Sequence, residues 1–224
     1  MKKNKSCAII SGGEFSPING IENADYIIAC DKGYEHAAAC GITTDLLVGD
    51  FDSYNGSLPD NIPRLDLPVE KDDTDTLAAI RHAIAEGYKE ITLYCACGGR
   101  LDHLTANIQS AAYAAANGAV VRITDSNNEI TVLKNTKIIV PQKNGYSLSV
   151  FSLTDKCTGV TETGVKYPLD NAVITNAFPI GVSNEWNGTA EISVKEGILA
   201  VMLSKNKFNG LKKRMLFQAV SVWL

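Results

Sequence analysis

The sequence predicts an α/β fold in two parts: a doubly wound, mostly parallel α/β layer over residues 1–127, then an antiparallel β-sandwich over residues 128–224. Two stretches of contrasting pattern carry this expectation. Up to about residue 125, short apolar runs alternate with segments of helical period, as successive strand–helix units do. From Ile130 onward the chain breaks into short alternating segments punctuated by Gly, Asn and Pro and rich in Thr, Val and Ser, with no amphipathic helix. The polar run Asp125-Ser126-Asn127-Asn128 is the natural boundary.

In the first part the expected strands are Cys7–Ile10, Tyr26–Cys30, Leu46–Val48, Arg64–Leu67, Ile91–Cys95 and Val120–Thr124. A helix after Asp73 places Leu77, Ile80 and Ile84 on one face, and a helix after Asp102 does the same with Leu104, Ile108 and Ala111 or Ala112. In the second part the expected strands are Ile138–Val140, Tyr146–Leu153, Gly159–Glu162, Ala172–Asn176, Ala190–Val194 and Leu199–Leu203, with a further one near Ala219–Trp223.

Composition narrows the function. A formal net charge of -4 and the lack of a dense Lys/Arg run argue against a nucleic-acid partner and for a small molecule. The start is basic, but the apolar run Cys7–Ile10 ends at Gly12-Gly13, too short for a signal peptide, and no stretch is long and apolar enough to span a bilayer. The cysteines form no C-x-x-C pair and read as buried, reduced thiols of a cytoplasmic protein. Cys95-Ala96-Cys97 has no partner cluster and is not expected to bind metal.

Three polar clusters carry chemistry. Val48-Gly49-Asp50-Phe51-Asp52-Ser53 follows an apolar strand and so lies at a strand's carboxyl end, where open parallel sheets bind ligands. Two carboxylates one residue apart beside a glycine suit Mg²⁺, which takes one or two carboxylates, several waters and phosphate oxygens. A solvated turn is the alternative. Lys71-Asp72-Asp73-Thr74-Asp75 opens a helix, with Asp72 and Asp75 on one side of its first turn. Its carboxylates exceed what capping needs, and a divalent cation would relieve their repulsion, although Asp73 and Asp102 can also be read as simple helix-dipole partners. Cys97-Gly98-Gly99-Arg100-Leu101-Asp102-His103 again joins a strand to a helix. There the glycines admit close backbone approach, the helix start favours phosphate, Arg100 offers a planar fork, and Asp102 and His103 could orient a hydroxyl. No G-x-x-x-x-G-K-[ST] or G-x-G-x-x-G is present. Asp50-Phe51-Asp52 has the D-x-D form of a haloacid-dehalogenase nucleophile, but Ser53-Tyr54 breaks the continuation that family uses.

Taken together, Gly49-Asp50-Phe51-Asp52-Ser53, Asp72-Asp73-Thr74-Asp75 and Gly98-Gly99-Arg100-Leu101-Asp102-His103 resemble the motifs of the thiamine pyrophosphokinase family. The resemblance continues through Gly164-Val165-Lys166-Tyr167-Pro168-Leu169 and Gly181-Val182-Ser183-Asn184-Glu185, so it covers nearly the whole chain. It implies a nucleotide-binding catalytic layer and a thiamine-binding sandwich, with diphosphoryl transfer from ATP to the thiamine hydroxyl. It implies Mg²⁺ on Asp50, Asp52, Asp72 and Asp75, and catalytic roles for Asp75, Arg100 and Asp102. ATP contacts fall on Asp31, Ser53, Thr74, Gly98, Gly99 and Arg100; thiamine contacts fall on Asp102, His103, Ser183 and Asn184. Lys32 stands where the family has a glycine after Asp31. The family also implies a homodimer with thiamine pockets built across subunits. Trp186 and Tyr167 are candidates for an aromatic facing the cationic thiazolium. A pterin-alcohol diphosphokinase or a non-catalytic thiamine or nucleotide sensor would share parts of this pattern.

Overall fold

The computed structural model describes residues 5–51, 58–68 and 73–206. The first part comprises β1 (Ser6–Ile10), β2 (Tyr26–Cys30), α1 (Gly33–Ala39), β3 (Leu46–Gly49), β4 (Arg64–Asp66), α2 (Asp75–Ala85), β5 (Glu90–Tyr94), α3 (Leu101–Ala116) and β6 (Val120–Thr124). Its strands pair in parallel in the order β4-β3-β2-β1-β5-β6. Helices cover both faces of such a sheet, which is why Leu46-Leu47-Val48-Gly49 is buried throughout and does not alternate. Ala79, Ile80 and Ala83 of α2 and Ala111, Ala114 and Ala115 of α3 pack with Ile9, Ile28, Leu93 and Ile123. On the other face Ala37 of α1 joins Ala8, Ile10 and Tyr94.

The chain continues through β7 (Asn128–Lys134), β8 (Lys137–Val140), β9 (Tyr146–Ser152), β10 (Lys156–Val165), β11 (Leu169–Thr175), β12 (Trp186–Ser193) and β13 (Ile198–Lys205). Sequence pattern places no strand at β7, because its start lies in the Asp-Ser-Asn-Asn run. That run is a tight turn: one carboxyl oxygen of Asp125 accepts from the backbone N–H of Asn127 and of Asn128, each at 2.6 Å. The expected strand at Ala219–Trp223 lies outside the described residues.

The second-part strands divide between two sheets. β7, β13 and β9 extend the parallel sheet to nine strands by antiparallel pairing, and β11-β10-β12-β8 form a four-stranded antiparallel sheet. The large sheet therefore runs across the 127/128 boundary. β7 and β13 are buried on both faces: Ile130, Val132, Ile198 and Ala200 pack on the α2/α3 side, while Leu133, Leu199, Val201 and Leu203 share a core with Val160, Ile174 and Ile192 of the second sheet. This double burial accounts for the unbroken apolar run Ile198-Leu199-Ala200-Val201-Met202-Leu203.

No helix among the described residues is long and apolar enough to cross a membrane. The cysteines are unpaired, and Cys7, Cys30, Cys95 and Cys157 are buried as expected. Cys40 departs from that expectation: it ends α1 and is exposed.

Leu199 is fully buried in the core that joins the two sheets, so Leu199→Ala is expected to lose about 2–5 kcal/mol of stability. Because one sheet spans both parts, native-state hydrogen exchange should show β1 and β9 amides losing protection together in that variant. Separate losses would show that the halves unfold independently.

Candidate active site

In an open parallel sheet the ligand crevice forms at the carboxyl edge where strand order reverses. Here that point is β1, with β2 on one side and β5 on the other. Just past the ends of three of these strands the backbone turns sharply. Asp31 after β2 (φ 46°), Phe51 after β3 (φ 55°) and Cys95 after β5 (φ 53°) all lie in the left-handed region. Non-glycine residues seldom adopt it, and they concentrate where a site needs side chains aimed off the strand direction.

The β1 and β5 loops are locked together at the reversal point. Ser11 donates its N–H to Tyr94 O at 2.9 Å and Gly13 donates to Cys95 O at 3.1 Å. A Cβ at Gly13 would lie 2.4 Å from that same Cys95 oxygen, so only glycine permits the approach. Asn107, buried on α3, donates from Nδ2 to Ala96 O at 2.8 Å and holds the β5 loop from below. Neither position is among the residues expected at the site from sequence, although a glycine pair directly after the first strand, as Gly12-Gly13 is, signals close backbone approach. An amide in the same stripe as Leu104, Ile108 and Ala111 is a comparable signal.

The acidic residues gather one and two strands away. Asp31 donates its backbone N–H to Val48 O at 2.9 Å, and a Cβ at Gly49 would come within 3.2 Å of that Asp31 nitrogen. The start of α2 reaches the same edge: the Cys30 thiol points at Asp75 O across 3.7 Å, and the buried hydroxyls of Ser11 and Thr76 are 3.0 Å apart. Asp31, Asp50 and Asp75 thus flank the ends of β2 and β3.

The helix begins differently from the sequence expectation. Thr74, not Asp73, caps it, its Oγ1 accepting from Leu77 N–H at 3.2 Å. Asp73 forms an ion pair with Arg81. The first helical residue is Asp75. Asp52, Ser53 and Asp72 lie outside the described residues. Among the described residues no three Asp, Glu, His or Cys side chains come together as a metal-holding group. Asp50 and Asp75 are nevertheless hard oxygen donors at one sheet edge, the donor chemistry that Mg²⁺ prefers.

Gly98 and Gly99 lead into α3, with Arg100 at its N-cap. The guanidinium grips Asp102 with both arms, Nε to Oδ1 at 3.1 Å and Nη2 to Oδ2 at 2.5 Å, and His103 N–H donates to Oδ1 at 2.9 Å. Arg100 and Asp102 are largely exposed, as is His103. The arginine hydrogen bonds hold the Asp102 carboxyl down at about 2, and the same bonds raise Arg100 above its ordinary value. A fork formed for a carboxylate is equally suited to phosphate oxygens.

On the second part, Ser183 is exposed on a left-handed turn (φ 57°), its N–H donating to Ser149 Oγ at 2.9 Å. Asn184 beside it is buried, and its amide serves the fold. Oδ1 accepts from Tyr167 N–H and Glu185 N–H at 3.0 Å each, while Nδ2 donates to Tyr167 O at 2.8 Å. Asn184 thus ties the two sequence motifs of this half, together with the bonds from Lys166 to Glu185. Trp186 is half-buried and donates Nε1–H to Tyr146 O at 2.7 Å. Tyr167 is exposed, with the Lys166 ammonium 5.3 Å from its ring centroid.

Residues 19–123 match the family model described as thiamin pyrophosphokinase, catalytic domain, and residues 135–199 match thiamin pyrophosphokinase, vitamin B1 binding domain. A thiamine pyrophosphokinase of Bacillus subtilis is 30% identical over 184 residues, 79% of this chain and 86% of that protein. The crystal structure of the Bacillus subtilis enzyme superposes with a TM-score of 0.80 at 26% identity, covering 90% of this chain and 99% of that one. That of Geobacillus thermodenitrificans thiamin pyrophosphokinase gives 0.76 at 27% identity, with 91% and 99% covered. The carboxyl-edge carboxylates, the glycine turn before Arg100 and the paired turns of the second half thus lie in a chain that both family models match, and this chain belongs to the thiamine pyrophosphokinase family.

Proposed function

We propose that this chain moves a diphosphoryl group from ATP to the hydroxyl of thiamine, giving thiamine diphosphate and AMP. The observation that carries the reading is the convergence of Asp31, Asp50, Asp75 and the Arg100 turn on the carboxyl edge of one parallel sheet, in a chain matched by both the catalytic and the vitamin B1-binding family models. In this reading residues 1–127 act as a doubly wound nucleotide layer, residues 128–224 as a thiamine-binding sandwich, and the active form is a cytoplasmic homodimer. The exposed Phe178, Ile180 and Val182, which lead to Ser183, supply an apolar surface for a second copy.

The thiamine hydroxyl oxygen forms a bond to the β-phosphorus while the bond from that phosphorus to the α-bridging oxygen breaks. AMP departs with that oxygen, and the hydroxyl proton is released. Asp50, Asp52, Asp72 and Asp75 would hold Mg²⁺, which when bound supplies positive charge against the phosphates. Asp31, Ser53, Thr74, Gly98 and Gly99 address the nucleotide. Arg100 exchanges its hold on Asp102 for the transferring group, or shares it, and stabilises charge that builds in the transition state. Asp102 is too acidic to act as a strict base, so it and His103 position the hydroxyl, while Ser183 contacts thiamine and Asn184 shapes the turn that presents it.

Chromatography of a mixture of protein, ATP, Mg²⁺ and thiamine tests the reading: thiamine-dependent AMP and thiamine diphosphate are expected, whereas ADP with thiamine monophosphate would refute diphosphoryl transfer. Asp75→Asn and Asp52→Asn should abolish nearly all turnover with an unchanged thermal midpoint, and wild-type-like turnover in either would remove that residue from the metal set. Arg100→Lys, which keeps the charge but loses the fork, should lower kcat by about 10²-fold. With Asp102 held at about 2, any stabilisation from its pairing is present above the ordinary carboxylate range and is lost only as pH falls through that value. It is therefore ionised throughout pH 5–9, and Asp102→Asn should lower kcat/KM without moving the acid limb of the pH profile. A limb that disappears in that variant would make Asp102 the titrating base.

A further inference from the structure

Glu162 stands out as a group that none of this chemistry uses. It lies on β10 in register with Leu169 of β11 and Ile192 of β12. Its relative exposure is 0%, and among the described residues neither carboxyl oxygen makes a hydrogen bond of ordinary geometry, the Asn184 amide being the polar side chain beside it. An ionised carboxylate in such a place is costly, so burial favours the neutral form. Its surroundings agree: burial pushes it up to about 7, and the Asn184 side chain draws it back down.

No charged neighbour contributes to that shift. Lys137 and Glu191 of β8 and β12 pair with each other at the surface, as do Lys166 and Glu185 at the turns, and Asp170 of β11 and Lys205 of β13 are exposed. Cys157 of β10 and Tyr146 of β9 are the titratable groups that share its core.

We propose that Glu162 is a positioning residue that acts through Asn184 on the two turns of the acceptor side, 164–169 and 181–186. Asn184 adds three side-chain bonds to the backbone bond from Lys166 N–H to Glu185 O and the Lys166–Glu185 ion pair that also join these turns: it accepts from Tyr167 and Glu185 N–H and donates to the Tyr167 carbonyl. While Glu162 is neutral, nothing competes for that amide. Loss of its proton places a negative charge beside Asn184 with no other partner. The charge attracts Nδ2, which now holds Tyr167 O, and repels Oδ1, which now holds both N–H groups. Rotation of the amide toward Glu162 frees the Tyr167 and Glu185 N–H groups and loosens the turns, which keep the Lys166–Glu185 backbone bond and the bond from Ser183 N–H to Ser149. Glu162 thereby makes thiamine capture sensitive to pH near neutrality. The kinetic consequence rests on the thiamine-side reading above, whereas the structural one does not.

The test compares the full-length wild type with Glu162→Gln, which keeps the shape and cannot ionise. Amide exchange at Tyr167 and Glu185, corrected for intrinsic pH dependence, should lose protection in the wild type between pH 6 and 8.5 and stay constant in Glu162→Gln. In parallel, the KM for thiamine should rise roughly tenfold over that range in the wild type and stay at its low-pH value in the variant, with no matching change in kcat. Equal protection and equal KM slopes in the two proteins would overturn the proposal. If Glu162→Gln does not fold, the wild type alone decides: Tyr167 and Glu185 protection that is flat with pH would also overturn it. A protein that turns over no thiamine but shows the exchange difference refutes the acceptor assignment while upholding the link from Glu162 to the turns.

Discussion

Two strands buried on both faces set the geometry on which the rest of the molecule depends. β7 and β13 give one face to the helices beside the parallel sheet and the other to the second sheet, and β7 is hydrogen-bonded to β6. Burying a large apolar side chain stabilises by about 1.5–3 kcal/mol, and these strands carry such residues on both sides. The turns of the second half are therefore placed relative to the carboxyl edge of the parallel sheet by packing, not by a flexible linker. In the proposed reading a transfer between two bound molecules draws on that rigidity, because misplacement on the ångström scale removes much of the benefit of proximity.

Charge is handled in opposite ways at the two ends of this frame. Arg100 and Asp102 pair in water, where an ion pair contributes little to stability. Their value lies in keeping a planar fork ordered and accessible at the start of a helix. Glu162 is fully buried on β10, where a charge loses its solvation. The first arrangement keeps the carboxyl ionised down to acid pH; burial in the second favours the neutral form. Asn184 stands between the fold and the site: a buried amide whose partners all belong to two turns.

Much of this was readable from residue order. Fully buried parallel strands announce themselves as short apolar runs, and Tyr26–Cys30 and Val120–Thr124 were expected with the bounds they have. The carboxyl-edge location of Asp50 and Arg100 followed from each motif's place after a strand. β7 was not readable, because its first residues are polar turn formers and its pairing with β6 and β13 is a long-range choice that local pattern does not encode. The capping of α2 was misread for a related reason: Asp73 and Thr74 are both good caps, and the distant Arg81 side chain engages Asp73 and leaves Thr74 to close the helix. Glu162 was expected only as the end of a strand; it shares a buried face with Val160 two residues before it.

The most direct test of the central claim follows the phosphorus atoms. ATP carrying a radioactive β-phosphorus, incubated with the protein, Mg²⁺ and thiamine, should place the label in thiamine diphosphate and leave the AMP unlabelled. Label retained in ADP, with thiamine monophosphate as the other product, would show that the chain cleaves at the γ-phosphorus and would contradict the account.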